Sequence, residues 1–330
     1  MKRYLRHSIL LLLFIGTLQA QHTNSAKEAF AHTFSIVARD SITGEMAVGV
    51  QSHWFSVGTS VPWGKSGVGV VATQSFVNPA YGPNGLQLMQ DGMSAKDALN
   101  KLTKEDEGRD YRQVAFLASS GKPNAYTGAK CVEYAGQIVD ENFSVQANMM
   151  LNDKVVPAMA EAFRKNNDLP IAERVVAVLK AAQQAGGDIR GRQSAALIVV
   201  GAELAENPWE EHTIDLRVDD NDNPVKELER LLKTARAYQY MNRGDLAVEA
   251  NDMQKALAEY GAAESLFPDN LEMSFWKAVS LANSGEMQEA KPIFKRIFAE
   301  DENWRLMIKR LVKPGLLTAT PAQVEEITKL

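Results

Sequence analysis

Between residues 33 and 200 short apolar-rich stretches alternate with polar turns. Thr33, Ser35 and Val37 alternate with Phe34, Ile36 and Ala38, the period of two of a strand covered on at least one face. Glu45–Ser52 reads as its partner. The intervening Asp40-Ser41-Ile42-Thr43-Gly44, with glycine at its end, predicts a hairpin. Gly67–Gln74, Arg112–Ala118, Lys130–Tyr134, Phe143–Met150 and Ala195–Val200 read as further strands. Pro83–Met89 starts a helix, Ser94 caps a second, and Val155–Arg164 and Ile171–Ala185 are amphipathic helices. Strands in groups and helices in groups predict an α+β layered fold rather than βαβ alternation.

After the polar stretch Asp219-Asp220-Asn221-Asp222-Asn223-Pro224 the pattern is helical and repeats. Met253-Gln254-Lys255-Ala256 recurs 34 residues on as Met287-Gln288-Glu289-Ala290, with Tyr260 and Phe294 in register. That is the tetratricopeptide period, in which paired helices stack because neither buries its face alone. Gly244, Ala256, Tyr260 and Pro268 fall where that repeat places its small, aromatic and terminating residues. Phe275, Trp276, Phe294, Phe298 and Trp304 then read as packing between repeats rather than as a binding surface.

Length and the N-terminus divide the chain further. At 330 residues, two domains are expected rather than one core. Lys2, Arg3 and Arg6 precede a short apolar run from Ile9 to Ile15 and small residues ending at Ala20, the pattern of a secretory signal peptide. The expected organisation is a signal at 1–20, an extension at 21–32, a layered domain at 33–222, a helical domain at 223–320 and a tail at 321–330. Export to the periplasm or beyond follows, and no later segment is apolar enough to span a bilayer. From about Pro224 onward a separate helical unit is expected, with proteolysis near Asp219–Asn223.

Charge and chemistry narrow the function. Losing the signal takes the formal charge from −5 to −8, and an acidic chain without a basic run argues against nucleic acid as a partner. Cys131 is the only cysteine, so no intrachain disulfide forms; it reads as a small buried strand residue. His22, His32, His53 and His212 lack ligand spacing, so no metal is expected. No phosphate-binding glycine loop, G-x-S-x-G elbow or redox cysteine pair is present, so no cofactor is expected either.

Several motifs carry a resemblance. They are Thr33 to Asp40, Val50-Gln51-Ser52-His53, Val61-Pro62-Trp63, Ala72-Thr73-Gln74 and Asn78-Pro79-Ala80-Tyr81-Gly82. Tyr111-Arg112-Gln113-Val114, Thr127-Gly128-Ala129, Val145-Gln146-Ala147-Asn148-Met149 and Gly186 to Ala195 follow. Together these make the segment from Thr33 to Val200 resemble the bacterial and archaeal family known as domain of unknown function 1028. That family is similar to the N-terminal-nucleophile hydrolases, which implies a four-layer α-β-β-α sandwich and an amide-containing small molecule or peptide as substrate. The resemblance implies Thr33, Asn78, Asp188 and Ser194 as the catalytic set. It implies His53, Tyr81, Asn148, Arg192 and Gln193 as substrate-binding residues.

The chemistry explains why threonine would open a strand. A free α-amino group, with a reference pKa near 8, is the base for its own residue's hydroxyl. Backbone N–H groups then stabilise the oxyanion, and the helix start near Asn78–Gly82 is a natural place for them. Asp188 and Ser194 would orient the N-terminal residue, and His53 would bind substrate or tune the amine. Residues 21–32 precede Thr33, so this chemistry requires a second cleavage between His32 and Thr33. Two readings of Thr33 stand open here: nucleophile, or β-branched strand starter.

The helical region from Pro224 to Gly315-Leu316-Leu317 resembles a module that accompanies some family members and to which peptidoglycan binding has been ascribed. Stacked helix pairs more commonly bind peptides or proteins along a groove. Its expected partner is therefore a protein or a second copy of the chain, with cell wall as the alternative. Two functions compete: an exported amide hydrolase, and a non-catalytic envelope protein whose helical repeats bind a partner or wall material.

Overall fold

The computed structural model describes residues 29–330, so the signal peptide and most of the extension lie outside the described residues. The first half places β1 (Ala29–Ala31), β2 (Thr33–Arg39), β3 (Met46–Ser52), β4 (Pro62–Lys65) and β5 (Gly69–Val77) before helices α1 (Tyr81–Gln90) and α2 (Ala95–Glu105). Strands β6 (Arg112–Ala118), β7 (Asn124–Thr127), β8 (Gly136–Val139) and β9 (Phe143–Ala147) lead to α3 (Val155–Lys165) and α4 (Ile171–Gln184). Strands β10 (Ser194–Val200) and β11 (Ile214–Val218) complete the sheets.

Two antiparallel sheets result. One runs β1-β5-β6-β7 with β4 also on β5, and the other runs β11-β10-β3-β2-β9-β8. Period-two alternation sets what each face meets. Val37, Met46, Val48 and Val50 turn inward and meet Val70, Ala72, Ala115 and Leu117 of the five-stranded sheet. Phe34, Ile36, Ala47 and Val145 turn outward onto α3 and α4. Val71, Val114 and Phe116 turn outward onto α1 and α2. The layers therefore run helix pair, sheet, sheet, helix pair. Each fully buried aliphatic or aromatic side chain contributes about 1.5–3 kcal/mol.

The rest is all helical: α5 (Pro224–Glu249), α6 (Met253–Leu266), α7 (Leu271–Asn283), α8 (Met287–Glu300), α9 (Asn303–Val312) and α10 (Pro321–Thr328). Residue 223 immediately precedes α5, whose first turns bury Val225, Leu228 and Leu232 in the core beneath the six-stranded sheet. Its later turns carry Ala237 and Met241 into a cluster with Ala256 and Tyr260 of α6. The recurring tetrads open α6 and α8, and Tyr260 and Phe294 are both buried. Gly244 is required here: a Cβ would lie 2.5 Å from the Tyr260 ring. That ring's hydroxyl donates to Asp245 at 2.6 Å.

The mixed sheet region and the helical C-terminal region match the sequence pattern. One strand does not. Lys130–Tyr134 forms turns instead, and Tyr134 adopts φ 58°, outside the strand region. The strands lie on either side, as β7 in one sheet and β8 in the other, so this segment crosses between sheets. Cys131 accordingly sits in a turn, half-buried, with its Sγ donating to the Arg112 carbonyl at 3.4 Å. Among the described residues no helix is long and apolar enough to cross a membrane.

Candidate functional site

The chain changes sheets at His32. Ala29, Phe30 and Ala31 pair antiparallel with Val77, Phe76 and Ser75 of β5, in the five-stranded sheet. One residue later Thr33 opens β2 in the six-stranded sheet, opposite Ser52 of β3. Ser52 in turn lies opposite Ser194 of β10. Residues directly opposite share a face, so Thr33, Ser52 and Ser194 form one row of hydroxyls about 4.8 Å apart across three strands. The row faces inward, and all three residues are buried.

The carbonyl between His32 and Thr33 is gripped by two side chains. Ser52 Oγ donates to the His32 oxygen at 2.6 Å, and Arg190 Nη2 donates to it at 2.8 Å. Arg190 is aimed by Asp188: Nε reaches Oδ1 at 3.0 Å and Nη2 reaches Oδ2 at 2.7 Å. The Asp188 side chain is fully buried while that of Arg190 is 26% exposed. The carboxylate also accepts the backbone N–H groups of Arg190 and His53, at 2.9 and 3.3 Å. This paired geometry is the kind in which burying a carboxylate is tolerated.

A polar seam bridges the two sheets at the same end. Gln113 of β6 is its hub: Nε2 donates to the Ala147 carbonyl at 2.9 Å and to Thr127 Oγ1 at 2.8 Å. Its Oε1 accepts from Gln74 Nε2 at 2.7 Å and Asn148 Nδ2 at 2.9 Å. Gln74 Nε2 also reaches the Thr33 carbonyl at 3.3 Å. Nearby, Gln146 Nε2 donates to Ser35 Oγ at 2.6 Å. The opposite end of the same inner space is aliphatic, so the polar residues are concentrated around Thr33.

Strain and exposed apolar groups gather around this end as well. Ser56, Ser75, Tyr134 and Met149 have φ of 55°, 72°, 58° and 59°, the left-handed region that side chains disfavour. Ser75 lies within β5, where its partner changes, and the other three lie in loops between strands and helices. Met149 N–H donates to the Val132 carbonyl and Ile189 N–H to the Met149 carbonyl, both at 3.2 Å, tying three loops together. Val132, Tyr134, Leu151 and Ile189 project from these loops exposed.

The residues named from the sequence separate into groups. Thr33, Asp188, Ser194, Asn148 and His53 converge here. Asn148 Oδ1 lies 2.8 Å from His32 Nδ1. Ser194 Oγ donates to the Trp54 carbonyl and accepts from Val57 N–H at 3.1 Å, so it pins the loop after β3. His53 Nδ1 lies 3.4 Å from the Arg192 carbonyl. Arg192 and Gln193 point elsewhere, to Asn223 at 2.7 Å and Asp220 at 3.2 Å. Tyr81 opens α1 and is buried on the outer face of the five-stranded sheet, its hydroxyl donating to Asp106 at 3.1 Å. Burial and that carboxylate push the Tyr81 phenol well above its ordinary value. Asn78 accepts Ala80 N–H at 3.1 Å beyond the end of β5. Ser52, Arg190, Gln74 and Gln113 were not singled out by their pattern. The signal for Arg190 is its place two residues after an aspartate in a glycine-bounded turn.

Among the described residues no group of three or more His, Cys, Asp or Glu could hold a metal ion. The family of unknown function DUF1028 matches residues 33–228. The crystal structure of a Silicibacter pomeroyi protein described by the same family is similar, with 33% identity and a TM-score of 0.56 over 62% of this chain and 89% of that one. No curated protein matches the chain. The matched region takes in β2 to β11, all four flanking helices and the start of α5, and the chain belongs to the family of unknown function DUF1028.

Proposed function

We propose that the protein is an exported amide hydrolase of the N-terminal-nucleophile type, latent until the chain is cut between His32 and Thr33. The observation that carries this reading is the seat of the His32 carbonyl. Two donors, Ser52 Oγ and Arg190 Nη2, converge on the carbonyl that acylates Thr33. Donors on a carbonyl oxygen stabilise the negative charge that develops when its carbon is attacked, typically by about 3–4 kcal/mol per donor. The helix–sheet–sheet–helix layering and the inward row of hydroxyls support the same reading.

Cutting before Thr33 frees its amine. With a reference pKa near 8, that amine accepts the hydroxyl proton as Oγ attacks an acyl carbon. The acyl group moves to Oγ as an ester, the leaving amine takes the proton, and water then hydrolyses the ester. Asp188 holds Arg190 in place throughout. The signal-like N-terminus carries this chemistry to the periplasm or beyond. The 34-residue recurrence supports a tetratricopeptide-like unit in the helical region, which contacts a protein partner or a second copy rather than cell-wall glycan.

The test is intact mass and N-terminal sequencing of protein recovered from the native envelope. A terminus at Thr33, absent in Thr33→Ala, supports the reading. A terminus at Gln21 alone, with Thr33→Ala indistinguishable, sinks it. That result favours the second reading, a non-catalytic envelope scaffold. One observation favours this alternative: with β1 in place, Thr33 is buried and its nitrogen is an amide.

A further inference from the structure

The segment before Thr33 is held by main-chain pairing with β5 and by two side chains on the His32 carbonyl. We infer that the site, once Thr33 is free, takes an extended peptide in the place now held by β1 and His32, and cleaves it after a residue whose planar side chain donates a hydrogen bond. The inference rests on the reading of Thr33 as nucleophile and adds to it the substrate class and its binding mode.

Three features of the seat argue for a peptide rather than a small amide. First, β1 completes the edge of β5 where β4 leaves off. Strand β4 covers Gly69–Ala72, its Pro62 opposite Ala72, and β1 pairs from Ser75 to Val77. Without β1 this stretch of β5 loses its strand neighbour, and a strand edge opened in this way captures extended peptides by main-chain hydrogen bonds. Ser75, held at φ 72°, marks the point where β5 passes from one partner to the other. Second, the scissile carbonyl has its own two donors, Ser52 and Arg190. Third, the residue on the acyl side has a defined seat. The His32 ring meets Asn148 Oδ1 at 2.8 Å and stands edge-on to Phe76 at 6.1 Å between centroids. An acceptor on one side and an aromatic edge on the other suit a flat donor such as imidazole and reject a carboxylate. The exposed apolar residues of the rim, Leu151 and Ile189, suit a peptide's further side chains.

The step balances with water as the only co-reactant. Thr33 Oγ attacks the acyl-side carbonyl carbon and its proton passes through the Thr33 amine to the leaving nitrogen. The amide C–N bond breaks, an ester forms, and water returns a hydrogen to Oγ and a hydroxyl to the acyl group.

The probe is the p-nitroanilide of Lys-Glu-Ala-Phe-Ala-His, the chain's own residues 27–32, offered to protein whose first residue is Thr33 after removal of an initiator methionine. Release of p-nitroaniline should exceed that from the same peptide N-methylated at its two alanines and phenylalanine by on the order of tenfold, the effect of one or two lost hydrogen bonds. It should fall by a similar factor with aspartate in place of the terminal histidine. A β-lactone tests Thr33 separately, because ring opening by Oγ adds the whole lactone to the mass. Acylation by the lactone with equal turnover of native and methylated peptides, or turnover of neither, overturns the peptide inference and leaves the nucleophile standing. No acylation and no turnover overturns both. If the chain beginning at Thr33 does not fold, residues 21–32 are supplied as a separate peptide. Rescue of the fold by that peptide, but not by its methylated form, supports the seat, and failure of both to rescue it overturns the inference.

Discussion

His32 Nδ1 lies 2.8 Å from Asn148 Oδ1, and the direction of that hydrogen bond is set on the far side of the seam. The Ala147 carbonyl can only accept, so the Gln113 atom 2.9 Å from it is the amide nitrogen. Gln113 Oε1 therefore accepts from Asn148 Nδ2, which turns Asn148 Oδ1 toward the imidazole. His32 therefore donates through Nδ1. Burial lowers its pKa, and Arg190 lowers it further against the opposing pull of Asn148 and Asp188.

That lowering sets a pH dependence. The bound imidazole has a pKa below the ordinary value of 6.5, so the released segment binds a proton more readily than the docked one. Docking of residues 29–32 is fully stable above about pH 6.5 and weakens as pH falls through the lowered pKa. The protection factors of the amides of residues 29–32, observed exchange divided into the falling intrinsic rate, should decrease between pH 7.5 and 5. His32→Gln, which cannot titrate, should abolish that decrease.

Arg190→Ala leaves the buried Asp188 carboxylate without its cation. Two backbone N–H groups remain on that carboxylate, and Arg190 is partly exposed, so the cost is expected near the low end of the range for breaking a buried pair, about 3 kcal/mol. Arg190→Lys should recover only part, because a single ammonium cannot make the two parallel bonds. Urea unfolding at pH 7 measures both, and a change under about 0.5 kcal/mol for the alanine variant would contradict the role given to the pair.

Gln113→Leu keeps the volume but removes the hub. It strands Asn148 Nδ2 and takes one partner each from Gln74 Nε2 and Thr127 Oγ1, which keep the Thr33 carbonyl and Gln137 Oε1, with an expected loss of about 1–3 kcal/mol. The same variant frees Asn148 to rotate, so the His32 Nδ1 resonance should move in NMR spectra recorded at pH 7.5, where residues 29–32 are docked. An unmoved resonance would show that Gln113 does not orient Asn148.

Helix α5 joins the two regions through one rigid element, so they are expected to melt together. Leu228→Ala removes a fully buried side chain of α5 from the sandwich core, a loss of about 2–5 kcal/mol. The segment before it is fastened by Ser56 Oγ to Asp219 at 2.6 Å and by Asn221 N–H to the Gln193 carbonyl at 2.8 Å. Calorimetry should show one transition that Leu228→Ala shifts as a whole. Two transitions, with the later one unmoved, would mean that the helical region is independent.

Local physics was readable along the chain. Alternation in Thr33–Ala38 gives the strand and its two faces, because a pleat sends neighbouring side chains to opposite sides. The hairpin after it, the cap at Ser94 and the helical recurrence from Met253 follow from turn chemistry and helical period in the same way. The short edge strands were not readable: Asn124–Thr127 and Gly136–Val139 are half-buried, and their partners lie in different sheets. The site behaves like those edges. Thr33, Asp188, Ser194 and Asn148 carry motif residues, but Ser52 and Arg190 gain their meaning only from the His32 carbonyl, 20 and 158 residues away in the chain. Register across three strands decides which hydroxyls share a row, and a crossing between two sheets decides which carbonyl those side chains hold. Both depend on pairings between distant segments, and a linear pattern of polar and apolar positions does not specify them.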